Sequence, residues 1–194
     1  MPLVLGLDSS TQSVSAVVLD TDSDSIIHEE SVSFGVDLPD YGQPSGFIPG
    51  GENGEVHSDP MMWLDALELV FSRLAQSSVE MSDIVAVSGS GQQHGSVYLD
   101  EGFVDTVGNL DPRETLKGQI LSHLTRQTAP IWMDSSTTVE CGEITRALGG
   151  DTEVCSRSGS IAIERFTGPQ IRRFAKTSYD GWELTGVVHL VSSF

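Results

Sequence analysis

The sequence predicts an α/β domain built on a mixed β-sheet with helices on its faces. Three observations lead there. The N-terminus reads as three strands in succession, at residues 3–8, 13–19 and 26–34, separated by short polar turns, the pattern of an antiparallel meander. Asp59-Pro60 then supplies an N-cap and a proline at the first helical position, and Trp63, Leu67, Val70 and Leu74 recur at helical spacing. After that helix comes a short apolar run, Ile84-Val-Ala-Val-Ser88, closed by Gly89 and Gly91, which reads as a buried strand parallel to its neighbour and ending in a tight loop.

The remaining elements follow in order. Residues 35–57 form a Gly/Pro-rich loop between meander and helix. Asp111-Pro112 starts a second helix with Leu116, Ile120 and Leu124 on its inner face, and residues 129–133 read as another buried strand. Thr137-Thr-Val-Glu140 has the spacing of a capping box for a third helix, which Gly149-Gly150 can stop. Met61, Met62 and Met81 are expected in the core. The order β-β-β-α-β-α-β-α is the ribonuclease-H-like outline, the form that actin-like ATPase domains take, and at 194 residues one such domain is expected.

Composition narrows the function. A formal net charge of -18 with only ten Lys+Arg repels nucleic acid and anionic membranes, so neither is expected as a partner. A nucleotide site in such a chain must rely on local donors and a metal ion. Cys141 and Cys155 lack a CxxC spacing or a clustered His, and reduced, mostly buried thiols are expected rather than a disulfide or zinc. No basic leader and no apolar run of membrane-spanning length is present, which points to the cytoplasm.

Four segments carry the chemistry. In Leu5-Gly-Leu-Asp8-Ser-Ser-Thr-Gln12 a strand delivers an aspartate into a Ser/Thr-rich turn, whose N–H groups and hydroxyls can donate to phosphate oxygens while Asp8 holds Mg²⁺ through water. An ordinary hairpin is the competing reading of the same pattern. In 88–96, Ser-Gly-Ser-Gly-Gln-Gln-His-Gly-Ser, small residues admit a ligand close to the backbone, and Gln92, Gln93 and His94 offer hydrogen bonds to hydroxyls, although a lone histidine is also commonly structural. Trp132 and Asp134, in 132–136, suit the apolar face and hydroxyls of a sugar, with core packing the alternative for the indole. Arg165, in Glu164-Arg-Phe-Thr-Gly168, can serve a polar ligand or pair with Glu164. Together these loops point to a hydroxyl-rich ligand at the carboxyl ends of the strands.

Read in register, these motifs, with Pro130-Ile-Trp-Met-Asp-Ser-Ser-Thr-Thr138 and the terminal Leu190-Val-Ser-Ser-Phe194, resemble the FGGY carbohydrate kinases, most of all xylulose kinases of the animal type. The resemblance implies transfer of the ATP γ-phosphoryl group to a primary hydroxyl of D-xylulose with Mg²⁺, in a cleft between two actin-like domains. It implies that Asp8, Ser9, Ser10, Thr11 and Gln12 face the phosphates and metal, that His94 and Arg165 contact the sugar, and that Gln93, Trp132 and Asp134 adjoin it. Family members are much longer: their catalytic aspartate and adenine-binding domain follow the segment where this chain stops, and residues 176–186 match weakly. The chain is therefore expected to be the sugar-binding N-terminal domain, with weak sugar affinity and no useful turnover alone. Its partner is the missing C-terminal domain, and self-association into a homodimer through the face that domain would cover is expected. A kinase for another ketose such as D-ribulose, or a non-catalytic sugar-binding module, are the alternatives.

Overall fold

The computed structural model describes residues 2–194. In chain order the strands are β1 (Leu3–Ser9), β2 (Ser13–Asp20), β3 (Ser25–Ser33), β4 (His57–Ser58), β5 (Ile84–Gly91), β6 (Ser96–Leu99), β7 (Ala129–Pro130) and β8 (Val187–Leu190). The helices are α1 (Phe34–Asp37), α2 (Pro60–Gln76), α3 (Gly102–Gly108), α4 (Leu116–Ile120), α5 (Thr138–Leu148), α6 (Asp151–Ser158), α7 (Thr167–Thr177) and α8 (Tyr179–Glu183). None of the helices among the described residues is long and apolar enough to cross a membrane.

The expected meander forms: β1, β2 and β3 pair antiparallel, and β5 adds to β1 in parallel, giving the order β3-β2-β1-β5. Strand alternation sends Leu3, Leu5, Val14, Ala16, Val18 and Val32 to one buried face. Helix α2 lies across that face with Met61, Met62, Trp63, Ala66, Val70 and Leu74 inward. Its start is as expected, for the Asp59 side chain accepts from Met61 N–H at 2.9 Å.

Several expectations need correction. Segment 84–88 is a parallel strand but not a buried one: β5 is the sheet edge, and Val85 and Val87 are 68% and 58% exposed, their side chains left uncovered by the described residues. The second helix begins at Leu116 under a Thr115 cap, not at Asp111, whose carboxylate is taken by Arg113. Residues 129–133 supply only the two-residue strand β7, paired with β4, since Pro130 has no N–H and the chain turns outward at Trp132. The capping box is not made either. Thr137 hydroxyl instead donates to Glu164 C=O at 2.6 Å, and Glu140 accepts from Lys176 at 2.8 Å. Gly149, at φ 96°, ends α5 as expected. Of the two free thiols only Cys141 is buried; Cys155 is exposed.

A second packing centre joins the C-terminal helices to the β4/β7 pair. Arg126 packs against the Tyr98 and Phe174 rings, which also touch each other at 4.9 Å between centroids, its guanidinium carbon 5.1 Å from each. Beside it sits Asp134, 2% exposed. Asp134 Oδ1 accepts from Ser136 N–H at 3.0 Å, Ser136 Oγ–H at 2.7 Å and Gln170 Nε2–H at 2.7 Å. Oδ2 accepts from Val56 N–H at 2.9 Å and lies 3.4 Å from His57 Nε2. Burial alone would raise its pKa, but hydrogen bonds from His57, Val56 and Ser136 outweigh it and hold the carboxyl well below the usual range.

Because the folded pKa is depressed, Asp134 stabilises the fold above its unfolded pKa of about 4, and that contribution is lost as pH falls through the lower folded value. Asp134→Asn turns an amide N–H₂ toward groups that need an acceptor. It should lower stability at pH 7 by on the order of 3 kcal/mol, a fall in Tm of about 10 °C. The gap to the unmodified protein should narrow in acid, which thermal melts at pH 7 and pH 3 would check.

Candidate functional site

The site begins where β1 ends. Alternation along the strand puts Asp8 and Ser10 on one side and Ser9 on the other. Parallel pairing sets Asp8 opposite Ser90, whose hydroxyl donates to Asp8 Oδ1 at 2.6 Å, while Ser10 hydroxyl donates to Oδ2. These two hydrogen bonds lower the Asp8 pKa and keep it an anion. The turn is closed by Ser10 N–H donating to Ser13 C=O at 2.9 Å and backed by Gly46. At φ +83°, with the place of a Cβ only 1.7 Å from Thr11 C=O, no other residue fits position 46 without moving the turn.

The loop after β5 is tied to the same strand end, for Gln92 N–H donates to Ser9 C=O at 2.8 Å. His94 takes a left-handed backbone, φ 66°, which aims its ring at Phe166, 4.8 Å between centroids. Burial, then the neighbouring charge of Arg165, lowers the His94 pKa. No hydrogen bond or ion pair among the described residues holds the exposed Arg165 guanidinium, so the expected alternative of a pair with Glu164 is not taken up. From the opposite wall, Trp132 Nε1–H donates to Thr11 Oγ1 at 2.9 Å.

These elements line one open cleft of about 520 Å³, formed by Asp8, Ser10, Thr11, Gly91, Gln92, Gln93, His94, Trp132 and Arg165. Seven of the ten residues that the resemblance assigned to the site thus line one cleft. Gln12 lines an adjoining hollow with Ser45 and Phe47. Ser9 faces the apolar side, near Trp63 and Phe194. Asp134 lies beneath the cleft rather than on it, because its carboxylate is consumed by the loop it organises. Phe166, against which His94 packs, is an addition. Gln92, one of the hydrogen-bonding residues expected from sequence, also lines the cavity; it is 8% exposed and its amide has no partner among the described residues.

No cluster of three or more metal-binding side chains occurs among the described residues. Asp8 is the single carboxylate on the cavity wall, and both its oxygens already accept hydroxyl protons. Such a donor set fits Mg²⁺ held chiefly by phosphate and water, with Asp8 in its outer sphere, and not a cation caged by protein.

No family model matches the chain. Among curated proteins it is 44% identical over 193 residues to xylulose kinase 2 of Arabidopsis thaliana, 43% over 192 to the xylulose kinase of Schizosaccharomyces pombe, and 38% over 190 to that of Mus musculus. Each match covers 98–99% of this chain and 34% of the relative, so the chain spans about a third of their length. Among solved structures, a "xyloylose kinase" of Brucella ovis superposes with a TM-score of 0.72 at 21% identity, and the xylulose kinase of Bifidobacterium adolescentis with 0.71 at 19%; each match covers 98% of this chain and 32% of that one. At those identities the likeness speaks for the fold, which is the actin-like ATPase fold of sugar kinases. The chain is a homologue of the xylulose kinases of the FGGY family, aligning over its full length with about a third of theirs.

Proposed function

We propose that residues 1–194 form the sugar-binding domain of a kinase that moves the γ-phosphoryl group of ATP to D-xylulose, giving D-xylulose 5-phosphate, with the nucleotide-binding domain supplied by further chain. The observation that carries this is one cavity in which a clamped aspartate and a hydroxyl-bearing turn face an unpaired arginine and a histidine. D-xylulose is chosen because relatives are named xylulose kinase and D-xylulose kinase.

In this reading Arg165 and His94 fix the ketose through its oxygens, and the turn at Ser10 and Thr11 meets the phosphate chain. Mg²⁺, when bound, supplies charge neutralisation for the phosphates. The sugar hydroxyl attacks phosphorus, ADP leaves, and the hydroxyl proton must go to a base. Asp8 is a poor one, because its hydrogen bonds favour the anion. His94 is also weak, because its pKa is lowered. The base therefore belongs to the second domain. That domain has a docking place in the bare edge of β5 and the apolar hollow between Leu7, Trp63 and Phe194. In the chain taken alone the same edge would pair two copies. This reading places the reaction in the cytoplasm.

The deciding experiment is ADP formation with Mg-ATP and D-xylulose, using this chain and a version extended through its native continuation. The extended protein should turn over, and this chain alone should show no useful turnover, since in this reading both the general base and the nucleotide-binding domain lie in the further chain. Activity on D-ribulose alone would reassign the sugar. No activity in a folded extended protein would favour a non-catalytic sugar-binding module.

In the active extended protein, Arg165→Ala should raise KM for the sugar about 10- to 100-fold, as expected for loss of a charged hydrogen-bond donor. Tm should not move, since nothing in the fold holds that side chain. The sugar KM should stay level above about pH 6.5 and rise below it, where His94 protonates beside Arg165. A rise between pH 8 and 7 would contradict the lowered His94 pKa.

A further inference from the structure

The Trp132–Thr11 contact fixes the direction of a proton. An indole N–H can only donate, so Thr11 Oγ1 is the acceptor in their 2.9 Å hydrogen bond. The single Thr11 hydroxyl proton must then point away from Trp132. The other hydroxyls at this strand end have no proton to spare for a ligand: those of Ser10 and Ser90 donate to Asp8, and Ser9 turns its Oγ to the apolar side. Thr11 is thus the one hydroxyl of the turn whose proton is left for the cavity. Its backbone is held against Gly46, so the side chain swings from a fixed base.

Orientation matters here because of sign. A phosphate approaching Asp8 meets an anion, and a hydroxyl lone pair turned toward it would add to the repulsion, whereas an O–H turned toward it attracts. Trp132 and Thr11 also both line the adjoining hollow of about 450 Å³, so their hydrogen bond is the partition between the two spaces. We propose that Trp132 is a positioning residue that acts through Thr11, orienting the threonine hydroxyl as a donor to a phosphoryl oxygen. This rests on the kinase reading, and it gives Trp132 a role toward the phosphate in place of the sugar.

Two measurements test it. In the 194-residue chain, the Trp132 indole ¹⁵N–¹H resonance, assigned by its loss in Trp132→Phe, should shift on Thr11→Val and less on Thr11→Ser. It should also respond to inorganic phosphate in the unmodified chain but not in Thr11→Val. An indole signal indifferent to Thr11→Val, or to phosphate, overturns the proposal. In the extended protein, Trp132→Phe keeps the ring and removes the N–H. It should raise KM for Mg-ATP or lower kcat about 3- to 10-fold, leaving the sugar KM unmoved. The double variant with Thr11→Val should be no worse than Thr11→Val alone, and Thr11→Ser should restore most of what valine loses. A rise in sugar KM, or losses that multiply, would return Trp132 to the sugar wall. If the extended protein phosphorylates no ketose while the indole still answers to phosphate through Thr11, the kinase reading fails and the positioning role stands.

Discussion

The Asp134 carboxylate is the point on which the cleft's geometry depends. It is shut away from solvent and accepts from the backbone before β4, from the loop leading into α5 and from Gln170 on α7. Those three segments come from distant parts of the sequence, and Asp134 joins all three at one point, where pairwise contacts such as Thr137 with Glu164 C=O and Lys176 with Glu140 each join only two. A buried anion without donors is very costly, so the donors must arrive together, and with them the loops they belong to. One loop carries Trp132 outward over the turn; another begins with Arg165 and Phe166. The cavity wall is therefore placed by a group that never touches the cavity.

On the opposite wall the determinant is strand register. Parallel pairing sets Asp8 against Ser90, and the period of two puts Ser10 on the same side, so two hydroxyls reach one carboxylate without a long side chain being ordered. Short side chains on strand ends lose little entropy when fixed. The result is a rigid anion whose both oxygens are already engaged, suited to order the waters of a phosphate-bound cation and unsuited to take a proton.

What sequence revealed follows from which physics is local. The meander, the start of α2 and the Asp8 turn were legible because alternation, an Asp-Pro cap and a turn's polar residues act over a few positions. The burial of β5 was misjudged because an apolar run looks the same whether its covering partner lies in the same chain or elsewhere. Residues 129–133 read as a strand from apolar content, yet strand length is set by a pairing partner, and β4 offers only two residues. The capping box failed for a similar reason: Glu140 found Lys176, 36 positions away, a stronger partner than a backbone N–H. Asp134 was noticed as polar and near Trp132, but its role depends on Val56, His57 and Gln170, none of which its neighbours in sequence announce.

Charge gives the cleft its contrast with the rest of the surface. The chain has ten Lys+Arg against 28 Asp+Glu, so an arginine has carboxylates to choose from almost everywhere. Among the described residues seven of the ten cations are in ion pairs, such as Arg73 with Asp37 and Lys176 with Glu140 and Glu143. Arg126 packs against the Tyr98 and Phe174 rings, and Arg146 is exposed on α5. Arg165 alone is both unpaired and on the cavity wall. In a protein this acidic, long-range attraction cannot bring an anion to the cleft, and at physiological salt the bulk charge is screened within about 8 Å. Affinity for a phosphorylated or hydroxylated ligand must therefore come from donors within contact distance. The structure provides them by sparing one guanidinium from the pairing that occupies most of the others.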